Sequence, residues 1–164
     1  MQLFQFLLLS GRIVHIYLVQ YFAVNKLEFT GDRMAISNIK TTVKAKLQDV
    51  WDVVTSLENY QWRSDIKVIE VISEKQFAEI TKDGYTTTFT ITRTEPCVRW
   101  EFDLENDNMR GHWIGLFYAK GDVTEIDFTE VVTAKKLIMK PFVKGYLKKQ
   151  QKRYISDLKM AVEG

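Results

Sequence analysis

The sequence predicts one α+β domain from about Met34 to Gly164, an antiparallel sheet with a helix near its start and a long helix at its end. Three observations carry this expectation. Hydrophobic residues make up 46% and charged residues 27% of the 164 positions, enough apolar material for one sizeable core, and the net charge is only +2. Apolar residues recur with a period of two through most of 67–133, and with a period near 3.6 at 47–57 and again at 141–162. Helices placed at the two ends of a run of hairpins give segregated layers, not the alternation that builds a parallel α/β sheet.

Ser37 to Lys44 alternates, with Ile39, Thr41 and Val43 on one side and Lys40, Thr42 and Lys44 on the other, and reads as a strand. From Leu47 the period changes. Leu47, Val50, Trp51, Val54 and Leu57 share a helical face, while Asp49 and Asp52 sit near the positive end of the helix dipole. Glu58 to Asp65 lacks a clear period and, with Tyr60 and Trp62, suits a short second helix or a turn packed on the sheet.

Strands follow at Lys67 to Ser73 and Gln76 to Thr81, and Asp83-Gly84 is a hairpin signal. Next, Tyr85, Thr87, Phe89, Ile91 and Arg93 alternate with a ladder of threonines, until Pro96 breaks the run. Val98, Trp100, Phe102 and Leu104 alternate with Arg99, Glu101, Asp103 and Glu105, the cleanest half-buried strand in the chain. After Asn106-Asp107-Asn108, strands at Arg110 to Lys120 and Thr124 to Thr133 flank a turn at Gly121-Asp122. Pro141 suits the first turn of a helix that runs to about Val162. Phe142, Val143, Tyr146, Leu147, Tyr154, Ile155 and Leu158 form its apolar arc, lysines crowd the other half, and Gln150 is an amide inside the arc.

Residues 1–33 read differently. Their apolar stretches are interrupted by Arg12, His15 and Lys26, so no run spans a bilayer, and the segment lacks the layout of a secretory signal. Thr30-Gly31-Asp32-Arg33 can be encoded as ACA GGA GAT AGA, which sets AGGAG a few bases before the Met34 codon, the layout of a bacterial ribosome-binding site. The expectation is a non-domain extension, a translated upstream region, ahead of a ligand-binding domain at 34–164. A membrane-surface anchor helix is the alternative.

Composition excludes several classes. Nucleic acid is not the default partner of a chain with so small a net charge. Cys97 is the lone cysteine and the histidines are His15 and His112, so neither an internal disulfide nor a metal site is expected, and a reducing, cytoplasmic setting fits. Cys97 reads as a small buried residue before it reads as a reactive thiol. No phosphate loop, dinucleotide fingerprint or hydrolase motif is present, and no cofactor is expected.

The element order, together with Val50-Trp51-Asp52-Val53-Val54-Thr55-Ser56-Leu57 followed by Tyr60 and Trp62, resembles the START-like (SRPBCC, helix-grip) superfamily, in particular its polyketide cyclase/dehydrase branch. The closing Asp157 to Glu163 is similar to the end of that family's lid helix. The resemblance implies a curved antiparallel sheet of about seven strands, with two short helices and a long C-terminal helix over an apolar pocket. It also implies a lipid, polyketide or aromatic metabolite as ligand.

Candidates for lining the pocket are Tyr85, Phe89, Trp100, Phe102, Phe128, Phe142 and Tyr146, although for any single one ordinary core packing is the first reading. Arg93 continues the face of Phe89 and Ile91, and Glu130 that of Ile126 and Phe128. The two could pair with each other, or bind a carboxylate and relay a proton. His112 faces in with Ile114 and Leu116, or out if Trp113 and Phe117 face in; Gln150 completes the candidate set.

Charge is uneven: 34–134 holds 11 basic and 17 acidic residues, while 135–160 holds 9 basic and one acidic. A basic helix face can meet an anionic membrane, RNA or an acidic protein, but more often such a face is simply solvated. Three readings stand: a binding or transfer module for a hydrophobic small molecule, a cyclase or dehydratase, and a protein- or ribosome-interaction module using the basic helix. Catalytic residues and oligomeric state are not legible.

Overall fold

The computed structural model describes residues 34–136 and 140–164. The expectation for residues 1–33 lies outside the described residues. Within them the order is β1 (Met34–Val43), α1 (Leu47–Thr55), β2 (Ile66–Ser73), β3 (Gln76–Thr81), β4 (Thr86–Glu95), β5 (Arg99–Glu105), β6 (Met109–Lys120), β7 (Val123–Ala134) and α2 (Lys140–Val162). The seven strands form one sheet in the order β1-β7-β6-β5-β4-β3-β2, antiparallel at every pairing. Consecutive hairpins build β2 to β7, and β1 joins beside β7.

α1 ends two residues earlier than its apolar face. The Thr55 hydroxyl donates back to the Trp51 carbonyl at 2.9 Å, and Ser56 turns extended while its N–H still reaches the Asp52 carbonyl. The next segment is turn rather than a second helix. Arg63 N–H closes a single turn onto the Tyr60 carbonyl at 2.9 Å, and Ser64 N–H is drawn to the Asp157 carboxylate of α2 at 2.8 Å. The β3–β4 turn needs Gly84 at φ +84°, a left-handed conformation that a Cβ disfavours. Cys97 is half-buried in the β4–β5 turn at φ 59°, not a core residue, and its thiol donates to Gln48 Oε1 at 3.3 Å.

Register decides which face each side chain takes. Trp100, Phe102 and Leu104 of β5 share the concave face with Trp113 and Phe117 of β6 and with Ile126, Phe128 and Glu130 of β7. α2 crosses this face, packing on β1, β7 and α1 through Val143, Leu147, Ile155 and Leu158. Two expectations are corrected here. A bulge between Ile91 and Arg93 adds one residue to β4, so Arg93 pairs with Glu101 and turns to the convex face, where it binds Glu95. His112 pairs across from Asp103, also convex, and its ring nitrogens meet Asp103 Oδ1 at 2.7 Å and Glu101 Oε2 at 3.3 Å.

Candidate functional site

Between α2 and the concave face lies a cavity of about 760 Å³. Its floor is a run of aromatic rings contributed by successive strands. Phe77 stacks on Phe89 at 4.9 Å, Phe89 meets Phe102 edge-on at 5.2 Å, and Phe102 stacks on Trp113 at 4.8 Å. Phe128 continues the run 4.9 Å from Trp113. Gly115 makes this possible, because a Cβ there would lie 2.2 Å from the Trp113 indole that folds across it. Trp100 is 6% exposed and braces Phe102 edge-on at 5.1 Å.

Polar side chains share the wall with these rings, and one group of them is buried and interlinked. Arg63 is buried, and its Nη1 and Nη2 donate to the two oxygens of Glu79 at 3.2 and 3.4 Å while Nε reaches Asp65 at 3.3 Å. Its guanidinium carbon lies 4.7 Å from the centroid of the Tyr154 ring. Burial works against this charge, but Glu79, Tyr154 and Asp65 more than offset it and hold the guanidinium above its usual range. Burial likewise pushes the Tyr154 phenol up.

Glu130 stands apart from that cluster. It is 7% exposed, lines the cavity, and makes no hydrogen bond or ion pair with any described residue. Burial pushes its carboxyl up to about 7, the Glu79 charge adds to the shift, and Arg63 opposes it. Its cross-strand neighbour Ser37 is no partner, because the Ser37 hydroxyl donates to Gln151 Oε1 at 2.7 Å. The Trp62 indole N–H, also on the cavity wall, is buried without a partner among the described residues.

Of the residues expected at the pocket, Phe89, Trp100, Phe102, Phe128 and Glu130 line its interior. Tyr85, Phe142 and Tyr146 line it as well but are mostly exposed, which puts them at the mouth beside Lys82, Lys149 and Arg153. Although about half of Tyr146 is exposed, partial burial and then the Glu130 charge push its phenol up. Gln150 also lines the cavity, yet the amide that α2 buries is its neighbour Gln151. Arg93 and His112 are absent from the lining. The cation that replaces Arg93 in the interior, Arg63, and its partner Glu79 were missed. Arg63 sits in a segment without a period, and β3 carries apolar residues in both phases, Phe77 in one and Ala78 and Ile80 in the other. Glu79 following Phe77 at an interval of two was the available signal.

A sheet gripping a long helix around an aromatic cavity defines a helix-grip protein of the START-like class. The chain belongs to the family described as polyketide cyclase / dehydrase and lipid transport, whose profile matches residues 34–163. Solved structures agree in fold. A START superfamily protein from Mycobacterium smegmatis superposes with a TM-score of 0.72 at 16% identity, covering 78% of this chain and 97% of that one. The Zhui aromatase/cyclase from Streptomyces sp. R1128 gives a TM-score of 0.71 at 10% identity, covering 80% and 94%. A conserved protein from Geobacillus kaustophilus gives 0.68 at 12% identity, covering 77% and 93%. No curated protein matches the chain in sequence.

Proposed function

We propose that this protein binds a hydrophobic small molecule, a lipid, polyketide or aromatic metabolite, in the cavity beneath α2. The observation that carries this reading is the cavity itself, about 760 Å³ and floored by stacked aromatic rings. That volume falls within the range of small-molecule sites, and a floor of aromatic rings favours a ligand with an apolar body. The family's description, which includes lipid transport, supports the same reading. Native mass spectrometry of protein purified from its own host tests it. A retained apolar molecule, displaced by a neutral fluorescent probe such as N-phenyl-1-naphthylamine, is the expected result. A protein that neither retains a molecule nor takes up the probe defeats the proposal.

One observation favours a second reading, a cyclase or dehydratase. A carboxyl that titrates at about 7 on an apolar wall has the proton affinity that acid–base catalysis near neutral pH requires. In that reading Glu130 takes a proton from, or gives one to, a carbonyl compound held on the aromatic floor. Turnover of a poly-β-keto substrate that disappears in Glu130→Gln, with binding retained, distinguishes it from simple carriage.

A further inference from the structure

We infer that the ligand carries a basic nitrogen, which the Glu130 carboxyl receives inside the cavity. This rests on the cavity-binding reading and narrows it to a class of head group. The geometry is specific. Arg63 is the cation deep in the cavity, and both its donor edges are engaged by Glu79 and Asp65. A ligand carboxylate entering there meets a guanidinium already occupied by two carboxylates, and Glu130 is a further carboxyl on the same cavity wall. A ligand ammonium meets the opposite situation, because Glu130 is buried, faces the void and has no partner among the described residues. An unpaired carboxyl in a weakly screened interior gains most from a cation that brings its own N–H donors.

The mouth pulls the other way. Lys82, Lys149 and Arg153 line it beside the single carboxylate of Asp83, and on balance they would attract an anionic head group. These side chains are exposed, however, so water and salt screen them, whereas the interior charges are screened far less. The interior therefore sets the preference.

The groups around Glu130 make the preference depend on pH. Its sheet neighbours on the same face are Ser37 of β1 and Trp113 of β6. Across the cavity stand Glu79 of β3, Arg63 and Asp65 of the α1–β2 segment, and Tyr146, Gln151 and Tyr154 of α2. Arg63 and the two tyrosines are held above their ordinary values and keep their charge states through neutrality, while Glu130 ionises at about 7.

Three fluorescent probes with one apolar body test the inference on the full chain: 1-pyrenemethylamine, 1-pyrenemethanol and 1-pyrenecarboxylic acid. At pH 8 the amine should bind about tenfold more tightly than the alcohol, the size expected of one charge-assisted contact, and the acid should bind most weakly. The amine-to-alcohol ratio should rise between pH 6 and pH 8 in the wild type and stay flat and close to one in Glu130→Gln. An acid that binds as tightly as the amine overturns the inference, as does an amine preference that survives Glu130→Gln or that ignores pH in the wild type. Failure of all three probes to bind removes the cavity-binding reading itself, and this inference falls with it.

Discussion

Arg63 and Glu79 meet fork to fork inside the cavity, Nη1 to Oε1 at 3.2 Å and Nη2 to Oε2 at 3.4 Å, although they lie 16 residues apart in the chain. The pair ties the irregular segment after α1 to the third strand, and Asp65 and the Tyr154 ring complete its surroundings. Removing Arg63 alone leaves Glu79 and Asp65 without their cation in a buried site. Arg63→Met is therefore expected to cost about 3–5 kcal/mol in denaturant unfolding, and adding Glu79→Met should restore a large part of that loss. A loss below about 1 kcal/mol for Arg63→Met would show that water reaches the pair.

Glu79 also acts on Glu130. Its charge is one of the causes that raise the Glu130 carboxyl, while Arg63 opposes the rise. Glu79→Gln removes the first effect and frees the guanidinium to strengthen the second. The Glu130 titration, followed by carbon-13 NMR of its carboxyl, should then fall below about 7. An unchanged or higher midpoint would mean that burial alone sets it.

The pH dependence of stability follows from the same group. Glu130 titrates near 7 when folded against an ordinary value of 4.5, so between those limits the folded state holds a proton that the unfolded state has released. Stability contributed by this site falls as pH rises through that window and is fully lost above the folded value. Glu130→Gln should match the wild type near pH 4 and exceed it at pH 8 by ~3 kcal/mol. Taking the difference between the two proteins at each pH cancels the other titrating groups. A variant less stable than the wild type at pH 8 would mean that Glu130 has a partner when folded.

Trp100 is 6% exposed, second in β5, and in edge contact with Phe102 at 5.1 Å. Trp100→Ala should cost about 3–5 kcal/mol, because the sheet cannot collapse to fill the void. A loss under about 1 kcal/mol in denaturant titration would assign the ring to the ligand rather than to the fold. Gly115→Ala probes the same floor differently. Its new methyl group falls within 2.2 Å of the Trp113 indole, so the ring must tilt off Phe102. A loss of about 1–3 kcal/mol with weakened probe binding is expected.

The convex face supplies the control. Arg93 and Glu95 are 46% and 43% exposed in their side chains, and the pair is screened by water. Arg93→Gln should change stability by less than about 1 kcal/mol and leave probe affinity as it was. His112→Gln should also leave probe affinity unchanged, since the sheet separates that ring from the cavity. A severalfold change in probe affinity for either variant would contradict the register on which the site rests.

The layer order, the run of hairpins, the long helix around and beyond Pro141 and the concave phase of Trp100, Phe102 and Leu104 were all legible in the residues alone, because unbroken periodicity is a local property of the chain. The sequence also exposed Glu130, since a carboxylate in step with Ile126 and Phe128 must share their face. Tertiary structure decided the rest. One extra residue in the β4 bulge reversed Arg93, which no alternation rule could anticipate. β6 carries bulky apolar residues on both faces, so only its pairing with β5 could send His112 outward. Neighbouring amides on a helix lie 100° apart, and only docking on β1 chose Gln151 over Gln150 for burial. The Arg63–Glu79 pair and the unpartnered state of Glu130 arise from residues distant in the chain meeting inside one cavity. Their energies depend on burial and on each other, and those quantities exist only once the chain has folded.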